Sequence, residues 1–533
     1  MAPDVWAFVK DAAKGASHLA TAWRRWGQED RAEIEAAYEK EIQILRDRLS
    51  RATNETDGAE IERELRDAED RYIQHLRDKI VAITKGVVRD RTPSRLIIIE
   101  SSHLPPREGA ALERAASTWA SLEPPRTFED RLTLGNAFHH AGDFERSLGE
   151  YDAALEIRPE DPQALTGRGM ILLHLGRNEE ALETLKRSLA RQPDDPDALD
   201  SLGCALGSLD RHEEALDAHN RALAGDPHRP ALLNNRGNAL SALGRHEEAL
   251  ADFNRCLELR PDNPATLYNR ANALNSLNRY HEALADYSRS LELQPDDPAT
   301  LNNRAAALVG LKRYEEALAD CDRSLELRPD NPATLNNRAA ILHDLNQYDE
   351  ALADLNRSLE LRPDDPSTLN SRGDMLRHLE RHEEALADFN RSLELRPDDP
   401  DTLNNRGVTL RHLERYEEAL ADFNRSLELR PDHATTLNNR GITLGYLRRY
   451  DEAISDYNRA LELCPEHSGT MYNIACLCSL SNRYDDSLHW LEKTIARDAS
   501  YRAMSAKDED FAGLRAHPKF GPRFRKLVEE EPS

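Results

Sequence analysis

The side chains with chemical potential in this sequence are few, and most recur at a fixed interval. Arg377-His378 returns one interval later as Arg411-His412. Two guanidinium groups beside two imidazoles form a basic patch, and arginine pairs with carboxylates through two parallel hydrogen bonds. Such a patch is expected to receive an acidic segment of a partner. Asn235, Asn269, Asn303, Asn337, Asn405, Asn439 and Asn473 share another recurring position, with Ser371 in one copy. The residue before them is Asn234, Asn302, Asn336, Asn370, Asn404 or Asn438, and Tyr268 or Tyr472 in two copies. An amide both donates and accepts, so a row of them can hold the backbone of an extended peptide without reading its side chains. A row that caps or bridges neighbouring helices fits the same pattern.

Other chemistry is missing from the sequence. The motifs GxxxxGK[ST], GxSxG and HExxH do not occur. HEEAL at His212, His246 and His382 lacks the second histidine of a zinc helix. His378 and His382 are four apart, but one is expected to end a helix and the other to begin the next. Asp194-Asp195 reads as a helix start, not as an acid–base pair. The six cysteines, Cys204, Cys256, Cys321, Cys464, Cys476 and Cys478, include no CxxC pair. They read as reduced packing residues of a cytoplasmic protein. The sequence thus predicts no enzyme, no cofactor and no metal.

The elements that position these residues repeat with a 34-residue period. LNNR begins at Leu233, Leu301, Leu335, Leu403 and Leu437, with LYNR at Leu267 and LNSR at Leu369. Pro162, Pro196, Pro230, Pro264, Pro298, Pro332, Pro366 and Pro400 each open a unit, and Ala434 takes that place in the next. Phasing outward gives eleven units over 128–501. In 298–331, Asp297 before Pro298 is a strong helix start, because the carboxylate accepts free N–H groups and proline has none to lose. Leu301, Leu308 and Leu311 line one face. Glu315 and Glu316 open a second helix, where the helix dipole favours anions. Tyr314, Ala317, Leu318, Cys321, Ser324 and Leu325 form its apolar stripe, and Arg328-Pro329 ends it. Small residues recur at Gly237, Ala305, Gly373 and Gly407 and at Ala249, Ala317, Ala385 and Ala419. They mark where two helices cross closely.

This pattern resembles the tetratricopeptide repeat (TPR), a helix–turn–helix of about 34 residues. The resemblance covers 128–501. It implies an all-α fold, a right-handed superhelix or α-solenoid, with first helices on a concave face and second helices outside. It also implies a scaffold or adaptor that binds an extended peptide or helix in the groove. The alternative is a regulatory subunit that controls a separate enzyme by spring-like motion. A similar asparagine ladder holds peptide backbones in superhelical TPR arrays, including that of the O-linked N-acetylglucosamine transferases. One departure is an arginine before the small residue, as at Arg236, Arg304 and Arg406, where the family often has leucine. Its stem can pack while its guanidinium reaches polar groups at the helix junction.

The chain has 533 residues, 39 % hydrophobic, with a formal charge of −26. Residues 1–127 carry −2 and residues 502–533 carry +1, so the array holds nearly all of it. The acids, for example Glu417, Glu418, Asp422 and Glu428, are expected on the outer side. Nucleic acid is not expected as a partner, because phosphate contacts need clustered Lys and Arg.

Residues 1–127 lack the period and read as a helical domain. Ile34, Tyr38, Ile42, Leu45 and Leu49 form one stripe. Ile61, Leu65, Ala68, Tyr72, Leu76, Ile80 and Ile83 form another. An antiparallel hairpin or a dimeric coiled coil fits both, and the latter implies a homodimer. One more helix is expected near 108–122, between Pro105-Pro106 and Pro124-Pro125. The run Leu96–Ile99 fits a strand or a helical turn. Trp6, Val9, Ala13, Leu19, Trp23 and Trp26 form an amphipathic face, on which a membrane surface is a weaker reading than protein packing. Phe511, Leu514, Phe520, Phe524 and Leu527 in 502–533 are expected to cap the worn last unit, since a solenoid must cover its exposed end.

Overall fold

In this computed structural model the described residues are 28–50, 55–87, 106–122 and 127–529. Among them every regular element is a helix. They fall into two compact units, Met1–Leu277 and Asn278–Ser533. The Trp6–Trp26 stripe, Leu96–Ile99, Pro105 and Pro124-Pro125 lie outside the described residues.

The first unit opens with α1 (Gln28–Ser50), α2 (Glu55–Val87) and α3 (Pro106–Leu122). α1 and α2 pack as a hairpin within the chain. Tyr38, Ile42 and Leu45 meet Ala68, Tyr72, Leu76 and Ile80 in a core that also takes in Leu112, Trp119, Leu134 and Phe138. These residues of the two stripes are therefore buried within the chain, while the side chains of Ile34 and Ile83 are not among those described. Arg71 pairs with Glu41 at 2.8 Å and Arg46 with Glu69 at 2.9 Å across the hairpin. Arg77 reaches Asp130, and so ties α2 to the first repeat.

Repeats 1 to 4 follow as helix pairs. They are Phe128–Ala141 with Phe144–Ile157, Pro162–His174 with Asn178–Arg191, Pro196–Ser208 with His212–Gly225, and Pro230–Ala242 with His246–Leu259. The first helix of repeat 5, Pro264–Ser276, closes this unit. The second unit opens with Tyr280–Leu293 and continues through repeats 6 to 11, whose first helices begin at Pro298, Pro332, Pro366, Pro400, Ala434 and Ser468. In repeat 6 the Asp297 carboxylate accepts from Thr300 N at 2.9 Å, and Pro298 occupies the first turn.

Packing within a pair sets the small residues. A Cβ on Gly407 would stand 2.7 Å from the Phe423 ring, and one on Gly237 would stand 2.5 Å from Phe253. Where the second helix carries a smaller side chain, Cys321 or Leu355, the first helix carries Ala305 or Ala339. In these repeats volume is exchanged between the two helices at one contact, whereas Ala271 is paired by position with Tyr287 and Gly169 with Leu185.

A second device joins the pairs. In repeats 4 and 6 to 10 the arginine before the small residue grips an aspartate of its own second helix through two bonds. Arg406 donates to Asp422 at 2.7 and 2.6 Å, and Arg236, Arg304, Arg338, Arg372 and Arg440 do likewise with Asp252, Asp320, Asp354, Asp388 and Asp456. The remaining nitrogen of Arg406 reaches Asn390 of the preceding repeat at 2.9 Å. One expectation is corrected here: Asp422 is not on a solvated outer face but is 6 % exposed. Its carboxylate faces inward because Arg406 compensates its charge there. Glu417 and Glu418 do stand exposed.

At the C-terminal end Phe511, Leu514, Phe524 and Val528 pack on Tyr472, Leu488, Leu491 and Ile495, with Phe520 and Leu527 at the margin. The aromatic residues of 502–529 therefore cover the apolar flank of repeat 11.

Candidate functional site

In each unit the first helices of successive repeats touch one another directly, so their polar residues form one shared face. The fifth and sixth residues of each first helix point to it, one turn after the helix start. The asparagines there are bound to each other. The sixth-position amide donates to the fifth-position carbonyl of the preceding repeat: Asn269 to Asn234 at 3.2 Å, Asn337 to Asn302 at 3.0 Å, Asn405 to Asn370 at 3.2 Å, Asn439 to Asn404 at 3.1 Å, and Asn473 to Asn438 at 3.3 Å. Asn302 also donates to Asn303 at 3.2 Å. Where Ser371 interrupts the series, Asn336 turns to Thr368 Oγ1 at 2.7 Å. Asn235 meets Asp200 instead of an amide. Each link consumes one N–H of one amide and one lone pair of the next. Asn404 Oδ1 and Asn438 Oδ1 also accept from Thr436 and Thr470 at 3.2 and 3.0 Å, so both lone pairs of those carbonyls are taken, and Asn404 is buried. Tyr268 stands half-buried in the row. Tyr472 does not line an open face: it is 6 % exposed, donates to Asp508 at 2.6 Å and lies against Tyr501 and Phe511.

The four residues of the basic patch are brought together but are not equivalent. Arg377 donates to Asp374 Oδ1 at 2.5 and 3.1 Å, so its charge is matched within its own helix. His378 stacks on Tyr348 of the preceding repeat, with centroids 4.8 Å apart and planes at 5°. His412 stacks on His382 at 5.0 Å and 8°. Tyr446 stacks on Tyr416 in the next step, and His174 on Phe144 in the first unit. The thirteenth residue of a repeat thus lies flat on the seventeenth of the repeat before. Burial lowers the pKa of both His378 and His412, and the neighbouring arginines add to this. Both imidazoles are therefore held towards the neutral form.

Arg411 differs from Arg377. Its repeat carries Val408 where the preceding one carries Asp374. No carboxylate pairs with it among the described residues, and its Nη1 is buried without a hydrogen-bond partner. It is half-buried among Tyr446, Tyr457, Tyr416 and Arg377. Burial lowers its pKa, and the tyrosines oppose that shift. A guanidinium stays charged under such conditions. At this point the face therefore holds a half-buried cation with one enclosed, unbonded donor. Two histidines and a carboxylate lie nearby: His343 Nε2 and His378 Nε2 are 3.8 and 3.9 Å from Asp374 Oδ2.

Sequence reasoning treats Arg377 and Arg411 alike. The distinguishing signal was legible three residues upstream, in Asp374 against Val408. The bonds that link one repeat's asparagines to the next were hidden, because each joins positions 35 apart in the chain.

Family profiles described as tetratricopeptide repeat match residues 132–196, 230–263, 264–297 and the overlapping spans 296–364, 364–432, 398–466 and 432–500. No curated protein matches the chain. Several solved structures are similar. A thermophilic TPR protein of Thermus thermophilus, TTC0263, is 29 % identical over 34 % of this chain and 100 % of that one, with a TM-score of 0.31. YrrB, a TPR protein with an unusual peptide-binding site, is 28 % identical over 35 % and 95 %, with a TM-score of 0.30. A chain of the APC/C hetero-tetramer Cut9–Hcn1 is 13 % identical over 85 % and 96 %, with a TM-score of 0.45. The profile matches cover well over half the sequence and follow its 34-residue period, and the helix pairs stand where they fall: this chain belongs to the tetratricopeptide repeat family.

Proposed function

We propose that this chain is a non-enzymatic scaffold whose first-helix face in the second unit takes an extended peptide with an acidic side chain. Family membership supports a protein-interaction role in general. The observation that carries the finer reading is Arg411, a half-buried guanidinium with no carboxylate partner among the described residues and a buried, unbonded Nη1. A carboxylate placed there completes an ion pair that the fold leaves open. The half-buried amides of Asn405, Asn438 and Asn439 lie on the same face and retain N–H groups for a peptide backbone. On this reading residues 1–127 and 502–533 flank an interaction array of 128–501.

A labelled Gly/Ser peptide carrying two aspartates, titrated against the full chain, tests this. A hydrogen bond to a charged group contributes about 1.5–3 kcal/mol. Arg411→Met is therefore expected to weaken binding about 10- to 100-fold. Arg377→Met is expected to do less, because Asp374 already neutralises Arg377. Binding is expected to fall with salt. Equal affinity of wild type and Arg411→Met refutes the proposal.

A further inference from the structure

Repeat 3 departs from its neighbours within its own helix pair. Leu202 and Ala218 stand where other repeats carry the arginine–aspartate grip. Asp200 replaces the first asparagine of the row. Cys204 occupies the position of Asn238 and Asn272. His219 fills the core position of Phe253, Phe389 and Phe423.

These three substitutions converge. The Asp200 carboxylate, the Cys204 thiol and an imidazole nitrogen of His219 lie within 4.8 Å of one another. His219 is 2 % exposed and its ring covers Gly203, where a Cβ would come within 2.5 Å of Nε2. Its Nδ1 is 2.9 Å from Asp200 Oδ1 but lacks the alignment of a hydrogen bond, and this buried nitrogen has no hydrogen-bond partner. A buried polar atom of that kind calls for a reason, the more so where phenylalanine serves elsewhere in the array. Asn235 donates to both Asp200 oxygens, at 3.2 and 3.1 Å, and its Nδ2 lies 3.7 Å from Cys204 Sγ. It holds the carboxylate from outside, as an outer-sphere group orients a metal ligand.

We propose that Asp200, Cys204 and His219 bind a divalent transition metal of the zinc class, with the fourth coordination position open to the first-helix face. The donor set decides the class: one sulfur, one imidazole nitrogen and one carboxylate suit zinc or cobalt, whereas calcium and magnesium require oxygen ligands. Tetrahedral zinc with bonds of about 2.0–2.3 Å sets its ligand atoms roughly 3.3–3.7 Å apart, so ligand atoms within 4.8 Å of one another need to close by no more than about 1 Å on binding. The half-buried Cys204 and the 16 % exposed Asp200 side chain give a route from the face. Cysteine binds the metal as the thiolate, so binding releases the thiol proton to solvent.

The test is titration of cobalt(II) into the full-length, reduced, untagged chain. One cobalt per chain is expected, with near-ultraviolet absorption from thiolate-to-cobalt charge transfer and visible bands of a tetrahedral ion, both erased by zinc. Cys204→Ala, His219→Phe and Asp200→Asn install residues found at the equivalent positions of other repeats, so circular dichroism should show each folded. Cys204→Ala is expected to abolish the charge-transfer absorption. His219→Phe and Asp200→Asn are each expected to weaken cobalt binding at least tenfold, and Asn235→Ala about 10- to 100-fold. Cys476→Ser, at the Cys476–Asp508–Asp510 cluster, should change nothing. The His343–Asp374–His378 group has no sulfur and cannot supply the charge-transfer band. Absence of that band in the wild type, its survival in Cys204→Ala, or its loss in Cys476→Ser overturns the proposal.

Discussion

The grip between Arg406 and Asp422 makes an asymmetric prediction. The Asp422 side chain is 9 % exposed and the Arg406 side chain 25 %. Replacing Arg406 with methionine keeps the stem but leaves a buried carboxylate alone. Removal of one partner of a buried pair costs about 3–5 kcal/mol, and the lower end applies because water can approach from the arginine side. Replacing Asp422 with leucine leaves Arg406 able to reach water and to keep Asn390, so a smaller loss of roughly 1–2 kcal/mol is expected. The double variant Arg406→Met/Asp422→Leu has no stranded charge and should recover most of the loss, since apolar replacement of a buried pair is often neutral. In a solenoid each repeat is held by its neighbours alone, so the damage should stay local. Hydrogen exchange over 400–433 in the full chain reads it. About 3 kcal/mol corresponds to exchange roughly 100-fold faster through local opening, while amides of 162–191 should be unchanged. A double variant no more stable than Arg406→Met would refute the reasoning, because the two side chains would then not be compensating each other.

Three further outcomes follow from the packing and the buried charges. Gly407→Ala should destabilise repeat 9 by about 1–3 kcal/mol through the clash with Phe423, and Gly407→Ala/Phe423→Leu, the pairing that Ala339 and Leu355 already use, should restore the urea midpoint. Burial, aided by His140 and His174, lowers the pKa of His139 to about 3. The unfolded chain then binds a proton that the folded chain does not between pH 6.5 and 3, so stability should fall on acidification by up to about 1.4 kcal/mol per pH unit, less so in His139→Leu when urea midpoints at pH 7.5 and 5.5 are compared. Leu76 is 1 % exposed in the α1–α2 core, and Leu76→Ala should cost about 2–5 kcal/mol, seen as faster exchange in α1, α2 and 128–141.

What could be read from the sequence was what is local in the chain. Each Asp–Pro start fell where a helix begins, because a cap and a fixed φ act within a single turn. The small residues at Gly407 and Ala419 were legible as a close crossing for the same reason. The partners were not. Arg406 and Asp422 stand 16 apart in the chain and Asn405 and Asn370 stand 35 apart. His412 and His382 belong to successive repeats. No propensity links residues so far separated. Their constancy from repeat 4 to repeat 10 was a usable signal: an arginine at the same distance before an aspartate in each of these units implies a contact across the helix pair. Asp422 shows the hazard of reading charge by type alone, since a carboxylate with a bidentate arginine belongs inside.

The sameness of the grip from Arg304 to Arg440 has a consequence for assembly. Interfaces built from the same residues at the same distances are interchangeable. Deleting or inserting one whole unit between repeats 6 and 10 would rejoin surfaces that already match, so chain length can change without a new interface arising. The same property removes a safeguard. During refolding, a repeat meets several equivalent docking partners, in its own chain and in others. Slipped registers and exchange of repeats between molecules are then separated from the native arrangement chiefly by the few units that break the pattern: repeat 3 with its polar trio, repeat 8 with Ser371, and the covered ends.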